Sequence, residues 1–87
     1  MTVITGLRIE KGSMINVQQN IAADPRVFAV YDVTGDYDSM VLARVQSRKD
    51  LDDLTKTVFT LKGVQRSFTQ VVLNTVKEDG RVIPPVV

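Results

Sequence analysis

The segment Val33-Thr34-Gly35-Asp36-Tyr37-Asp38 brings two carboxylates, a phenol and a glycine together within six residues. Those groups could grip a small polar molecule. A carboxylate can hold an ammonium group, and backbone N–H groups around Gly35 can hold a carboxylate. A solvated turn explains the same residues, because Gly and Asp are common turn formers, and on residue types alone it is the stronger reading. Other chemistry-bearing groups are more easily assigned to structure. Asp50, Asp52 and Asp53 suit the positive end of a helix dipole better than a metal ion. Asp32, Asp36 and Asp38 lack calcium-loop spacing. Arg44 and Arg66 could bind an anion, although ion-paired or solvated surface accounts for them better. Tyr31, in an alternating segment, fits interface packing.

The composition narrows the chemistry. The chain has 87 residues, no histidine and no cysteine. Thiolate metal sites and cysteine nucleophiles are excluded, and the commonest general base is missing. No catalytic residue, metal site or cofactor is expected, and the chain reads as a binder and not an enzyme. With 44% hydrophobic and 24% charged residues it is a globular mixture, and a net charge of +1 gives no strong pull toward nucleic acid. No run is long enough to span a membrane, and the N-terminus lacks the features of a signal peptide, so a cytoplasmic location is expected.

The elements that would position the Gly35 turn follow from periodicity. Thr2 to Ile9 alternates, with Val3, Leu7 and Ile9 on one side and Ile4 and Arg8 on the other, as in a strand. Ser13 is placed to cap a helix carrying Met14, Val17, Ile21 and Ala22, which Asp24-Pro25 ends. Arg26 to Thr34 reads as a second strand, Gly35-Asp36 as a hairpin turn, and Ser39 to Gln46 as a third strand. Ser47 or Asp50 caps a second helix with Leu51, Leu54, Val58 and Leu61 on its apolar face, stopped by Gly63. Val64 to Val76 reads as a fourth strand. Asp79-Gly80 then turns into an apolar tail. Residues 1–78 form one domain and 79–87 the tail. The order β-α-β-β-α-β predicts an α+β, ferredoxin-like sandwich: a four-stranded antiparallel sheet with both helices on one face.

Two helices cover one face of such a sheet, yet both faces carry apolar groups. In the second strand Ala29, Tyr31 and Val33 should oppose Phe28 and Val30. In the third, Met40 and Leu42 oppose Val41, Ala43 and Val45. In the fourth, Phe68, Val72 and Val76 oppose Val71 and Leu73. An apolar uncovered face predicts a symmetric dimer through that face.

The turn Val-Thr-Gly-Asp-Tyr-Asp, followed by a strand, a helix and Gly63-Val64-Gln65-Arg66-Ser67-Phe68-Thr69, resembles the effector-binding (RAM) domain of the leucine-responsive Lrp/AsnC regulators. Asp24-Pro25-Arg26-Val27 is similar to the segment that opens the second strand there. The likeness covers roughly residues 3–78. It implies sheet-face dimers that assemble into octamers or decamers, with an amino-acid effector bound where dimers meet. By matching position the ligand-binding residues would be Gly35, Asp36, Tyr37 and Asp38, with Ser67 and Thr69. Ser67 stands where relatives often carry Thr. Full-length members place a helix-turn-helix domain before this one. Here the first strand begins almost at Met1, so the resemblance is to stand-alone members, with no direct nucleic-acid binding and indirect modulation of transcription, in some cases through full-length Lrp-type regulators. The alternatives are a small dimeric ferredoxin-like enzyme and a structural partner of full-length regulators.

Overall fold

A computed structural model describes residues 1–78. The elements are β1 (Thr2–Ile9), α1 (Met14–Ala22), β2 (Val27–Asp32), β3 (Ser39–Arg44), α2 (Arg48–Thr57) and β4 (Val64–Val71). The strands form one sheet in the order β2-β3-β1-β4, with every neighbouring pair antiparallel. This is the ferredoxin-like arrangement. The expected Asp79-Gly80 turn and the tail to Val87 lie outside the described residues.

One face of the sheet packs on the helices. Val3, Leu7 and Ile9 of β1 and Val41 and Ala43 of β3 are buried there, with Val17 and Ile21 of α1 and Leu54 of α2. Phe59, just past α2, is also fully buried. The helical pattern did not reveal it, because the chain leaves the helix at Thr57 and Phe59 packs from the following turn. Leu51 and Leu61 are half-buried against the same core. Two polar groups enter it, each with partners. The Thr5 hydroxyl lies 2.9 Å from that of Thr69, and the Ser39 hydroxyl donates to the Tyr31 carbonyl at 3.1 Å. Satisfied buried hydroxyls avoid the desolvation cost of orphaned ones.

The helix starts differ. Ser47 caps α2: its hydroxyl accepts from Asp50 N at 3.2 Å, and the Asp50 carboxylate accepts from Gln46 N at 2.9 Å. Two otherwise unpaired donors are thereby satisfied, close to a capping box. Ser13 occupies the N-cap position of α1, but its hydroxyl makes no capping bond; its ψ of −1° is already helical and aims the side chain away from the first turn.

Three strands are shorter than their apolar runs. β2 starts at Val27 and ends at Asp32, and β3 ends at Arg44. β4 stops at Val71 because its partner runs out. Val72 N still donates to Thr2 O at 2.9 Å, whereas Met1 turns its hydrogen bonds to Val45 on the other side of β1.

The uncovered face carries Ile4, Met40, Leu42, Phe28, Tyr31 and Phe68. The pairing of β2 with β3 shifts between Val27 and Ala29, so Phe28 is the extra residue of a bulge. Strict alternation placed Phe28 opposite Tyr31. The bulge instead lets Phe28 and Tyr31 line one shallow depression with Ile4 and Leu42, while Val30 packs toward the core. Phe28 is 48% exposed, Tyr31 55% and Phe68 56%, so these rings contribute apolar surface to solvent. The Arg44 guanidinium covers part of it, 4.6 Å above the Phe28 ring.

Candidate functional site

The β2–β3 connection closes at Val33, whose N–H donates to Asp38 O at 3.2 Å. The loop is therefore longer than a two-residue hairpin turn. Gly35 takes φ +107°, a conformation that side chains resist. Asp38 pins the loop to β1. Its N–H donates to Leu7 O at 2.9 Å, and its carboxylate accepts from Ile9 N at 2.8 Å. That carboxylate also lies 4.0 Å from Arg8 Nε. Asp38 thus acts as a structural peg through its N–H and its Oδ2.

Once the loop is pinned, Tyr37 folds back over the uncovered face of β1. A Cβ on Gly6 would come within 2.9 Å of the Tyr37 ring, so the ring lies directly on the glycine backbone. Gly6 is in a strand interior, where glycine normally weakens the sheet, and close approach of another group explains it. The far side of the ring system is Phe68, with centroids 6.4 Å apart at an interplanar angle of 27°.

Beside this stack is an open cleft of about 490 Å³ lined by Arg8, Asp36, Tyr37, Gln65 and Arg66. Arg8 is oriented by the loop, since its Nη1 donates to Asp36 O at 2.6 Å. Arg66 pairs with Arg8 across the β1–β4 ladder, and a register shift beyond Arg8 brings Gln65 to the same cleft. The Asp36 carboxylate forms no hydrogen bond or ion pair among the described residues. The residues around the cleft therefore include one whose carboxylate is uncommitted and two arginines, beside one aromatic wall. This can receive an ammonium and a carboxylate at the same time.

Of the six residues expected at the site, Asp36 and Tyr37 line the cleft, and Gly35 and Asp38 shape the loop that carries them. Ser67 and Thr69 are not brought to it. Ser67 pairs with Leu7 and Thr69 with Thr5, so both belong to the helix-covered side, and the Thr69 hydroxyl is already engaged by Thr5. Arg8 and Gln65 also line the cleft and were not among the six. The alternation of the first strand put Arg8 on the right face, but only the fold sets it against the loop.

A second charged cluster lies on the opposite edge. Arg26 reaches Asp24 at 2.8 Å, Asp50 at 2.9 Å and Asp53 at 2.9 Å. It ties the α1–β2 turn to the start of α2. The hydrogen bond from Arg26 holds the Asp24 carboxyl below its usual range; the Gln46 backbone N–H, and then Arg26, do the same for Asp50. Arg26 itself is pushed further up, chiefly by Asp24. The cation at the centre of these aspartates is the protein's own arginine.

The chain belongs to the Lrp/AsnC ligand-binding domain family, whose model matches residues 2–82. It is 40% identical over 84 residues to an uncharacterized HTH-type transcriptional regulator of Pyrococcus abyssi, covering 97% of this chain and 57% of that protein. The chain thus spans little more than half the length of this relative. A solved Thermus thermophilus protein is similar over 88% of this chain and 98% of its own, with 31% identity and a TM-score of 0.82. The feast or famine regulatory protein of M. tuberculosis, solved in complex with L-methionine, matches 95% of this chain and 56% of its own at 25% identity and a TM-score of 0.79. Among the described residues no helix is long and apolar enough to cross a membrane.

Proposed function

We propose that this domain senses an amino acid in the cleft between the β2–β3 loop and the start of β4, and that it does no catalysis. The observation that carries the reading is the pairing of the uncommitted Asp36 carboxylate with the Arg8 and Arg66 guanidiniums around one cleft. An α-amino acid carries the complementary pair of charges on one carbon. Asp36 would hold the ammonium, Arg8 or Arg66 the carboxylate, and Tyr37 would close one side. Family membership supports the same reading, as does the amino acid bound to the M. tuberculosis relative.

The domain works as a homodimer through its uncovered sheet face, where Ile4, Leu42, Phe28 and Tyr31 would leave water together. Higher assembly to an octamer or decamer, and mixing with full-length Lrp-type regulators, would link ligand to transcription. A ligand that binds the assembled form more tightly favours it by mass action. Titration calorimetry against the common amino acids at millimolar concentration tests the sensing reading; it predicts heat with at least one of them, and no heat with any would defeat it. Light scattering tests the dimer, which Tyr31→Asp should split into monomers by burying an unpaired charge at the interface. A wild-type chain that is monomeric at micromolar concentration would remove that part.

A further inference from the structure

We propose that the ligand is an amino acid whose side chain ends in a carbonyl oxygen, a carboxylate or a carboxamide, and not an aliphatic or thioether amino acid. This rests on the reading of the cleft as an amino-acid site and goes beyond it to the class of side chain.

The inference comes from what the cleft offers after the α-carbon groups are placed. An amino acid's own ammonium and carboxylate need one anion and one cation. Asp36 supplies the anion. Arg8 is already held by the loop, through Asp36 O at 2.6 Å and the Asp38 carboxylate at 4.0 Å, so it is oriented as a fixed cation for the α-carboxylate. That leaves Arg66 and Gln65 on the β4 side. No ion pair engages Arg66 among the described residues. Both remaining groups can donate: the guanidinium only donates, through its fork of N–H groups, and the Gln65 amide has an NH2 donor beside its carbonyl acceptor. No aliphatic side chain lines the cleft, and its one carbon-rich wall is the Tyr37 ring.

A ligand side chain directed toward β4 therefore meets polar groups, chiefly N–H donors, and not apolar surface. A terminal carboxylate or carboxamide would satisfy them, with Arg66 and Gln65 both donating to its oxygen. A methionine or leucine side chain would press apolar carbon against the guanidinium and strip its water without compensation, which disfavours binding. Sites built to hydrogen-bond a ligand group discriminate strongly against analogues that lack it. The open cleft leaves part of that water in place, so the discrimination is smaller here than in a closed pocket.

The test is calorimetry on the intact chain with L-glutamate, L-glutamine, L-aspartate, L-asparagine, L-methionine and L-leucine. The expected result is that at least one of the first four binds roughly tenfold or more tightly than methionine and leucine. A preference for glutamate or aspartate assigns the role to the Arg66 charge; a preference for an amide assigns it to hydrogen bonding with Gln65. Arg66→Met should erase a preference for the acidic side chains, and Gln65→Leu a preference for the amides, each leaving the thermal melting curve in place, because Arg66 and Gln65 are exposed. Methionine or leucine binding as tightly as the best of the four overturns this inference and leaves amino-acid sensing standing. No binding by any of the six, when another amino acid does bind, overturns it as well. No binding by any amino acid at all overturns both.

Discussion

Two arginine-centred regions sit at opposite edges of the same sheet, and they differ in how far their charges are spent. Arg26 is saturated: three carboxylates surround it within 2.9 Å, and its side chain is 20% exposed. Arg8 and Arg66 face a cleft with guanidinium capacity left over, beside an Asp36 carboxylate that bonds to nothing in the described chain. The same chemistry is structural where the chain satisfies it and available to a ligand where the chain does not. Asp38 shows the division within one loop. It is two residues from Asp36, yet its carboxylate is committed to Ile9 N and the loop's shape.

The largest expected effect that would sharpen this contrast is on stability. Arg26→Met leaves three aspartates facing each other with no cation. It should lower unfolding free energy by about 2 kcal/mol, read from urea denaturation, since hydrogen bonds to charged groups contribute more than neutral ones even when partly solvated. Ligand affinity should not change. A variant as stable as wild type would mean that the cluster is only decoration.

The same region should give a pH signature. Asp24 and Asp50 titrate below the ordinary aspartate value of 3.8 in the folded state. Between their folded values and 3.8 the unfolded chain binds more protons, so their contribution is full above 3.8 and fades as the pH falls through the folded values. The stability gap between wild type and Arg26→Met should therefore be constant near neutrality and close in acid below that value. A gap that persists unchanged into strong acid would show that packing of the arginine stem, and not its charge, is what matters.

Gly6→Ala tests the cleft without touching any of its polar groups. The new Cβ would meet the Tyr37 ring at 2.9 Å and push it off the sheet. Ligand binding should fall roughly tenfold, comparable to the loss of one well-placed contact, while stability shifts by only about 1 kcal/mol in either direction, because alanine also removes glycine's conformational cost. Unchanged binding would show that Tyr37 is not a wall of the site.

How much of this was legible in the sequence depends on whether the deciding contacts are local. β1 was readable to its end residues because its alternation is clean from Val3 to Ile9. The Ser47 cap was readable for the same reason: three or four residues decide it. The expected stop at Gly63 was not, because α2 ends at Thr57 with Val58 as its C-cap, which leaves Val58 and Leu61 beyond the helix and Gly63, at φ +103°, in the turn before β4. The bulges were not. Nothing in Val27-Phe28-Ala29 announces that β3 will pair with Val27 and Ala29 and skip the residue between them, yet this puts Phe28 on the uncovered face. The site divides in the same way. Asp36 and Tyr37 were visible as an unusual turn. Arg8, 28 residues before Asp36, joins them only through the sheet. The positions of Ser67 and Thr69 were set by strand register, which pairs them with buried residues of β1. The Arg26 clasp left a faint signal, an Asp-Pro-Arg turn and an aspartate-rich helix start, but their meeting requires the fold.

The most direct measurement is a parallel calorimetric titration of wild type, Asp36→Asn and Arg26→Met with the amino acid that binds best. Asp36 is exposed and its side chain makes no hydrogen bond or ion pair among the described residues, so its replacement should change stability by no more than about 0.5 kcal/mol. Wild type and Arg26→Met should give the same affinity, and Asp36→Asn should lose roughly tenfold or more, the cost of removing one charged partner from the ammonium. Equal affinity for wild type and Asp36→Asn would place the ligand elsewhere and contradict the assignment of this cleft.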